Sequence, residues 1–213
     1  MSTVMASPVA PSAPPAPPAP SAPTPELYRL SVAQYHQMAR TGILRSGEPV
    51  ELIEGILVSK MTVNSPHIYT THYLMRRFAA MLPVGHEVYV QSPITTTDSE
   101  PEPDIAVVRG DLRQYLVEDR KPGPDDTEFL IEVSDSSLTF DRTTKLQIYA
   151  RASIPQYWII DVIGRQVAVY SGPSGPATVP TYQHRQDFAP GQEIPVVLSG
   201  QEVGRIEVAV LFL

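Results

Sequence analysis

Apolar and polar positions change period several times along the chain, and each change marks an element. From Leu30, Ser31 and Gln34 have the spacing of a capping box, Leu30 and Tyr35 that of a hydrophobic staple, and Gly42 supplies a stop, which predicts a short first helix. Two apolar runs, Val50 to Ile53 and Ile56 to Met61, flank Glu54-Gly55 and predict a tight hairpin with glycine where positive φ is required. Between His67 and Leu82, the residues Ile68, Met75, Phe78, Ala79 and Leu82 recur at steps close to the helical period and predict a second helix with that face buried. Strand-like runs follow at Val88 to Ile94, Ile105 to Val108 and Phe129 to Val133, the last two rich in β-branched residues and expected in the sheet interior. A helix is predicted from Asp141 to Ala152. After it come a hairpin, Tyr157 to Val162 and Gln166 to Tyr170 around Gly164, and then short strands separated by Pro/Gly turns. Trp158 and Tyr157 should face opposite sides of their strand, one ring in the core and the other near its rim. Interleaved helices and strands of this kind make an α+β, mixed α/β domain.

Composition changes the picture mainly at the N-terminus. The chain has 213 residues, enough for one ordinary domain, and 23 prolines, more than such a domain usually carries. Residues 6–25 are almost only Pro, Ala and Ser and offer no apolar face to bury, so residues 1–26 read as a disordered tail ahead of a domain spanning 27–213. The spacing of Pro15 and Pro18 matches a Pro-x-x-Pro ligand, but no basic residue flanks it, and a linker is the expectation. With no cysteine, disulfides, thiolate metal sites and cysteine nucleophiles are excluded. A formal net charge of −7 excludes a broad cationic surface for nucleic acid, so any contact with DNA must be local. No apolar run is long enough for a membrane span and no secretory leader is visible, which makes the cytoplasm the expected location.

Two carboxylates stand out against their apolar surroundings. Asp104 opens one apolar strand directly after Pro103, and Glu132 lies inside another, Phe129-Leu130-Ile131-Glu132-Val133. Burying a carboxylate without a partner costs several kcal/mol or forces protonation, so each needs a cation, a metal or good donors. On neighbouring strands, two such anions ~4 Å apart would repel by roughly 4 kcal/mol at an effective dielectric near 20, and a divalent ion would remove that repulsion. Oxygen ligation by few protein groups suits magnesium or manganese. The alternative is a Pro-Asp turn at Asp104 and a solvent-facing Glu132 on an edge strand. Lys145, on the following helix, can either reach over the strand end or point into water. His67 and His72 lack ligand spacing for zinc, and Ser134, Ser136 and Ser137 lie in no nucleophile-elbow motif.

These residues, in this order, resemble the Uma-two family, a restriction-endonuclease-like branch of the PD-(D/E)XK nuclease superfamily. The resemblance runs from about Leu30 to Phe212 through Glu51-Leu52-Ile53-Glu54-Gly55, Ser65-Pro66-His67, Pro103-Asp104-Ile105, Ile131-Glu132-Val133-Ser134, Asp141-Arg142, Lys145, Tyr149-Ala150 and Pro155-Gln156-Tyr157-Trp158-Ile159-Ile160-Asp161. It implies a mixed sheet flanked by helices and a metal-dependent DNA endonuclease using Mg2+ or Mn2+. Asp104, Glu132 and the adjoining Val133 would form the metal set. The superfamily lysine two residues after the glutamate is replaced here by Ser134, and Lys145 occupies the place of the helix lysine that substitutes for it. Glu54 matches an acidic position that could add a metal or water contact, and His67 matches a nearby histidine, so both join the catalytic set. A homodimer is implied only by analogy with nucleases that cut two strands. The rival readings are a catalytically silent binding module that kept the fold, suggested by Ser134 and the acidic charge, and an all-β small-molecule barrel, suggested by the many short strands after Tyr157.

Overall fold

The computed structural model describes residues 26–62 and 64–212, so the proline-rich tail falls almost entirely outside the described residues. The centre is a six-stranded sheet ordered β3-β4-β5-β6-β7-β8, formed by His86–Val90, Ile105–Arg109, Thr127–Ser134, Gln156–Asp161, Gln166–Pro173 and Tyr182–Phe188. Only β5 and β6 run parallel; every other neighbouring pair is antiparallel. The parallel pair needs a crossover, which a helical segment supplies: α4 (Leu138–Phe140), a π-helical turn (Asp141–Lys145) and α5 (Leu146–Arg151). A barrel is thereby excluded: the sheet is open and mixed, with helices on it.

Both faces of the sheet are covered because β4, β5 and β6 are apolar on both. On one face α2 (Ser65–Met81) presents Leu74 and Phe78, which meet Phe129 and Trp158, and a C-terminal hairpin, β9 (Glu193–Leu198) with β10 (Gln201–Glu207), closes the layer. The Phe78 ring stands edge-on to Phe129 at 5.4 Å, and Phe129 stacks on Trp158 at 5.4 Å. The other face packs Ile148 and Tyr149 of α5, Ile53 of the first hairpin, and Tyr115 of α3 (Leu112–Val117) against Ala106, Leu130 and Ile159. Tyr157 and Trp158 therefore do face opposite ways, but neither sits at a rim: both are fully buried, one in each core.

The first hairpin pairs β1 (Val50–Ile53) with β2 (Ile56–Ser59), shorter than the predicted run to Met61. Its turn has φ of 48° at Glu54 and 77° at Gly55, the doubly positive pattern of a tight hairpin; a Cβ on Gly55 would also strike Arg29. α1 (Val32–Arg40) has the capping box read from Ser31 and Gln34. Two expectations need correction. β3 ends at Val90, since Gln91 turns to φ 44°, and Ile94 is buried from a loop rather than a strand. The buried face of α2 is His67, Thr70, Thr71, Leu74 and Phe78, whereas Ile68 is 45% exposed and Ala79 is exposed. Thr70 can face inward because its hydroxyl donates to the Leu211 carbonyl at 2.7 Å.

Candidate active site

β4 and β5 pair with Ile105 opposite Ile131, and continuing that register by one residue puts Asp104 across from Glu132. Both open on one cleft of about 690 Å³, bounded by the first hairpin, the start of α2, the end of β5 and the π-helical turn. Glu132 is far from an edge: it lies in the third of six strands and is 4% exposed. Asp104 is held from two sides. Its Oδ2 accepts from the Val133 backbone N–H at 2.8 Å and its Oδ1 lies 2.9 Å from His67 Nε2. Asn64 caps α2 and fixes the helix start that delivers His67.

Lys145 does not point into water. Its Nζ donates to Glu132 Oε1 at 2.9 Å, the same oxygen that accepts the Tyr149 hydroxyl at 2.8 Å. It also lies 3.8 Å from Glu51 and 4.0 Å from Asp141. Asp141, Lys145 and Tyr149 follow one another at four-residue steps, and the π-helical turn over Asp141–Lys145 keeps all three on the buried face. Ser134, standing where the superfamily lysine is expected, donates its hydroxyl to Asp141 Oδ2 at 2.7 Å. The Ser134 position thus anchors the helix that carries Lys145.

Charge in the cleft is unbalanced. Glu51, Asp104, Glu132 and Asp141 are all buried around one buried ammonium. Burial, reinforced by Asp141, Asp104 and Glu51, raises the Glu132 carboxyl well above its ordinary range despite Lys145. Burial likewise raises Asp141. Burial works against the Lys145 ammonium, but Glu132, Glu51 and Asp141 outweigh it, so Lys145 stays charged. Asp141 Oδ1 and His67 Nδ1 are buried without a hydrogen-bond partner.

A family model named Uma2 and described as putative restriction endonuclease matches residues 32–208. The chain belongs to the Uma2 family. No protein of curated function matches it. Among solved structures, a putative nuclease belonging to DUF820 from Anabaena variabilis superposes with a TM-score of 0.61, covering 86% of this chain and 97% of that one. At 17% identity that likeness is one of fold.

Within this Uma2 fold, Asp104, Glu132, Val133, Lys145 and His67 are brought to one cleft, and Glu54 is not among the residues that line it. Glu54 sits in the hairpin turn, where its carboxylate takes both Arg151 nitrogens at 3.1 and 3.0 Å. The acidic residue that the hairpin does deliver is Glu51, 6% exposed, whose Oε2 accepts from the Glu102 backbone N–H at 3.0 Å. Side-chain alternation along β1 could not have singled it out, since Leu52 and Ile53, on opposite sides of the strand, are both buried. Asp141 and Tyr149 were also missed as site residues; the signal was their four-residue spacing from Lys145.

The donor set suits a hard divalent cation: carboxylate oxygens in excess over positive charge, with no thiolate. Among the described residues no three His, Asp or Glu side chains converge into a ready cage. Magnesium is commonly held by one or two carboxylates with waters and substrate oxygens completing the shell, so the two facing carboxylates fit it.

Proposed function

We propose that this protein is a metal-dependent endonuclease that hydrolyses DNA phosphodiester bonds with Mg2+ or Mn2+ at Asp104 and Glu132. The observation that carries the reading is the facing pair of buried carboxylates on adjacent strands, with Lys145 bonded to one of them inside a cleft. Val133, whose only possible ligand atom is its main-chain oxygen, completes the proposed metal set. When bound, such an ion polarises phosphoryl oxygens as a Lewis acid and offsets transition-state charge.

The chain's own groups do the rest. His67 and the Val133 amide hold Asp104 in place; Tyr149 and Lys145 do the same for Glu132. Lys145 directs positive charge at the incoming phosphate and orients the attacking water, so that water oxygen bonds to phosphorus as one ester P–O bond breaks, the water losing a proton to solvent and the departing oxygen taking one from it. No covalent enzyme intermediate is needed. The replacement of the motif lysine by Ser134 does not favour a silent module, because an ammonium reaches Glu132 from the helix instead.

The test is conversion of supercoiled plasmid with and without manganese, using chelator as control. Cleavage that requires metal and disappears in Asp104→Asn and Glu132→Gln is expected. A folded wild-type protein that leaves DNA and RNA uncut at every metal tested would favour the binding-module reading.

A further inference from the structure

α2 carries no acidic residue in a chain of net charge −7. Its solvent side, away from Leu74 and Phe78, carries a stripe from Ile68 and Tyr69 through His72 to Arg76 and Arg77, with Tyr73 partly buried at its edge against the core. Ile68 is 45% exposed and Tyr69 38%, and the Tyr69 and Tyr73 rings lie nearly parallel with centroids 6.2 Å apart. Among the described residues Arg76 and Arg77 pair with no carboxylate; Arg29, Arg40, Arg45, Arg113 and Arg165 share that state, but only Arg76 and Arg77 are adjacent in the chain. α2 starts at the cleft, whose lining includes its cap Asn64 and its first-turn His67, and the stripe runs along the outer side of the helix from that first turn.

We propose that this face of α2 binds a single nucleic-acid strand and guides it into the cleft, making an unpaired strand the preferred substrate of the site. The proposal rests on the nuclease reading for the cleft but on separate residues. The exposed Tyr69 ring, beside the partly buried Tyr73, offers stacking to unpaired bases, which a closed duplex cannot present, and the guanidinium groups of Arg76 and Arg77 meet its phosphates. Asp104, Glu132 and Lys145 are each less than a tenth exposed, at the base of a cleft whose 690 Å³ is the size of a small-ligand pocket. Such a cleft admits a nucleotide or two rather than the face of a duplex. From His67 to Arg76 the helix rises about 13 Å, which corresponds to roughly four nucleotides of strand.

The experiment is fluorescence anisotropy of a labelled thymidine 12-mer and of a duplex of the same length, in chelator, across a salt series. Wild type should bind the single strand about tenfold or more tighter than the duplex. Arg76→Ala with Arg77→Ala should flatten the slope of log affinity against log salt by about 1.4, the value for two lost single-strand phosphate contacts. Tyr69→Ala with Tyr73→Ala should weaken single-strand binding at least about tenfold while leaving the salt slope unchanged. Circular dichroism and unfolding midpoints matching wild type certify that the variants are folded. Equal binding of both nucleic acids, or wild-type affinity in both double variants, would overturn the proposal. So would a wild-type dimer in sedimentation that the tyrosine variant dissociates, which would make the stripe a self-interface. Stripe-dependent binding without metal-dependent cleavage would refute the nuclease reading alone. Cleavage of single strands with unchanged KM in the stripe variants would refute the stripe alone.

Discussion

At Lys145 a single ammonium faces three carboxylates within 4.0 Å, Glu132, Glu51 and Asp141. Removing a partner from a buried ion pair costs more than the pair contributes, because the remaining charge stays buried. Lys145→Ala is therefore expected to destabilise the metal-free protein by about 3–5 kcal/mol in urea unfolding. Manganese should restore much of the loss by mass action, about 2.7 kcal/mol at one hundred times its Kd. A cost below about 0.5 kcal/mol would match a solvated lysine instead. The Lys145 position was visible in the sequence, but its direction was not: a helix lysine beside Leu146 reads equally well as surface. The deciding feature is the π-helical turn over Asp141–Lys145, whose four-residue spacings read in the sequence like those of an ordinary helix with either face buried.

Elements were legible where apolar residues carried them. The β4 and β5 runs marked the sheet interior, but that Asp104 and Glu132 lie on neighbouring strands follows only from the pairing of β4 with β5; the α2 face was read in part, with Phe78 buried and Leu82 against the core, while Thr70 and Thr71 stand where Ile68 and Ala79 were expected. Phe78, at the crossing of α2 with β5 and β6, tests that packing: Phe78→Ala should cost about 3–5 kcal/mol. Ala79→Ser, on the exposed side, should cost under about 0.5 kcal/mol, and the reverse order would contradict the observed face. The loop from β3 to β4 depends on Glu100, 1% exposed, which receives Thr95 at 2.7 Å, His36 at 2.6 Å and Lys121. Burial alone would raise its carboxyl, but the bonds from Lys121, Thr95 and His36 together hold it below the usual 4.5. A lowered folded pKa means the stabilisation is present above the unfolded value and lost as pH falls through the folded one. Glu100→Gln should lower stability at pH 7 by about 1–3 kcal/mol, discounted toward the low end by the exposure of Lys121 and His36, and the deficit should shrink below pH 4. A deficit that grows on acidification would reverse the assignment.

At the scale of the whole molecule, the described residues form a six-stranded sheet covered on both faces, with two separate hairpins, and the cleft opens where β4, β5, α2 and the first hairpin meet; no described helix is long and apolar enough to cross a membrane. Composition separates residues 1–26 from this domain, so a chain starting at Leu27 is expected to keep the full-length thermal midpoint; a collapse of that midpoint would join the tail to the core. Ligand sets are harder to read than folds: the hairpin carried two acidic residues, and only tertiary packing shows that Glu51 rather than Glu54 faces the cleft. The central claim is that Asp104 and Glu132 hold one divalent ion, and calorimetric titration with manganese tests it most directly. Wild type and Lys145→Ala should bind one ion per chain, whereas Asp104→Asn and Glu132→Gln, still folded, should each weaken binding at least about tenfold, a loss of about 1.4 kcal/mol. Wild-type manganese affinity in both carboxamide variants would contradict the account.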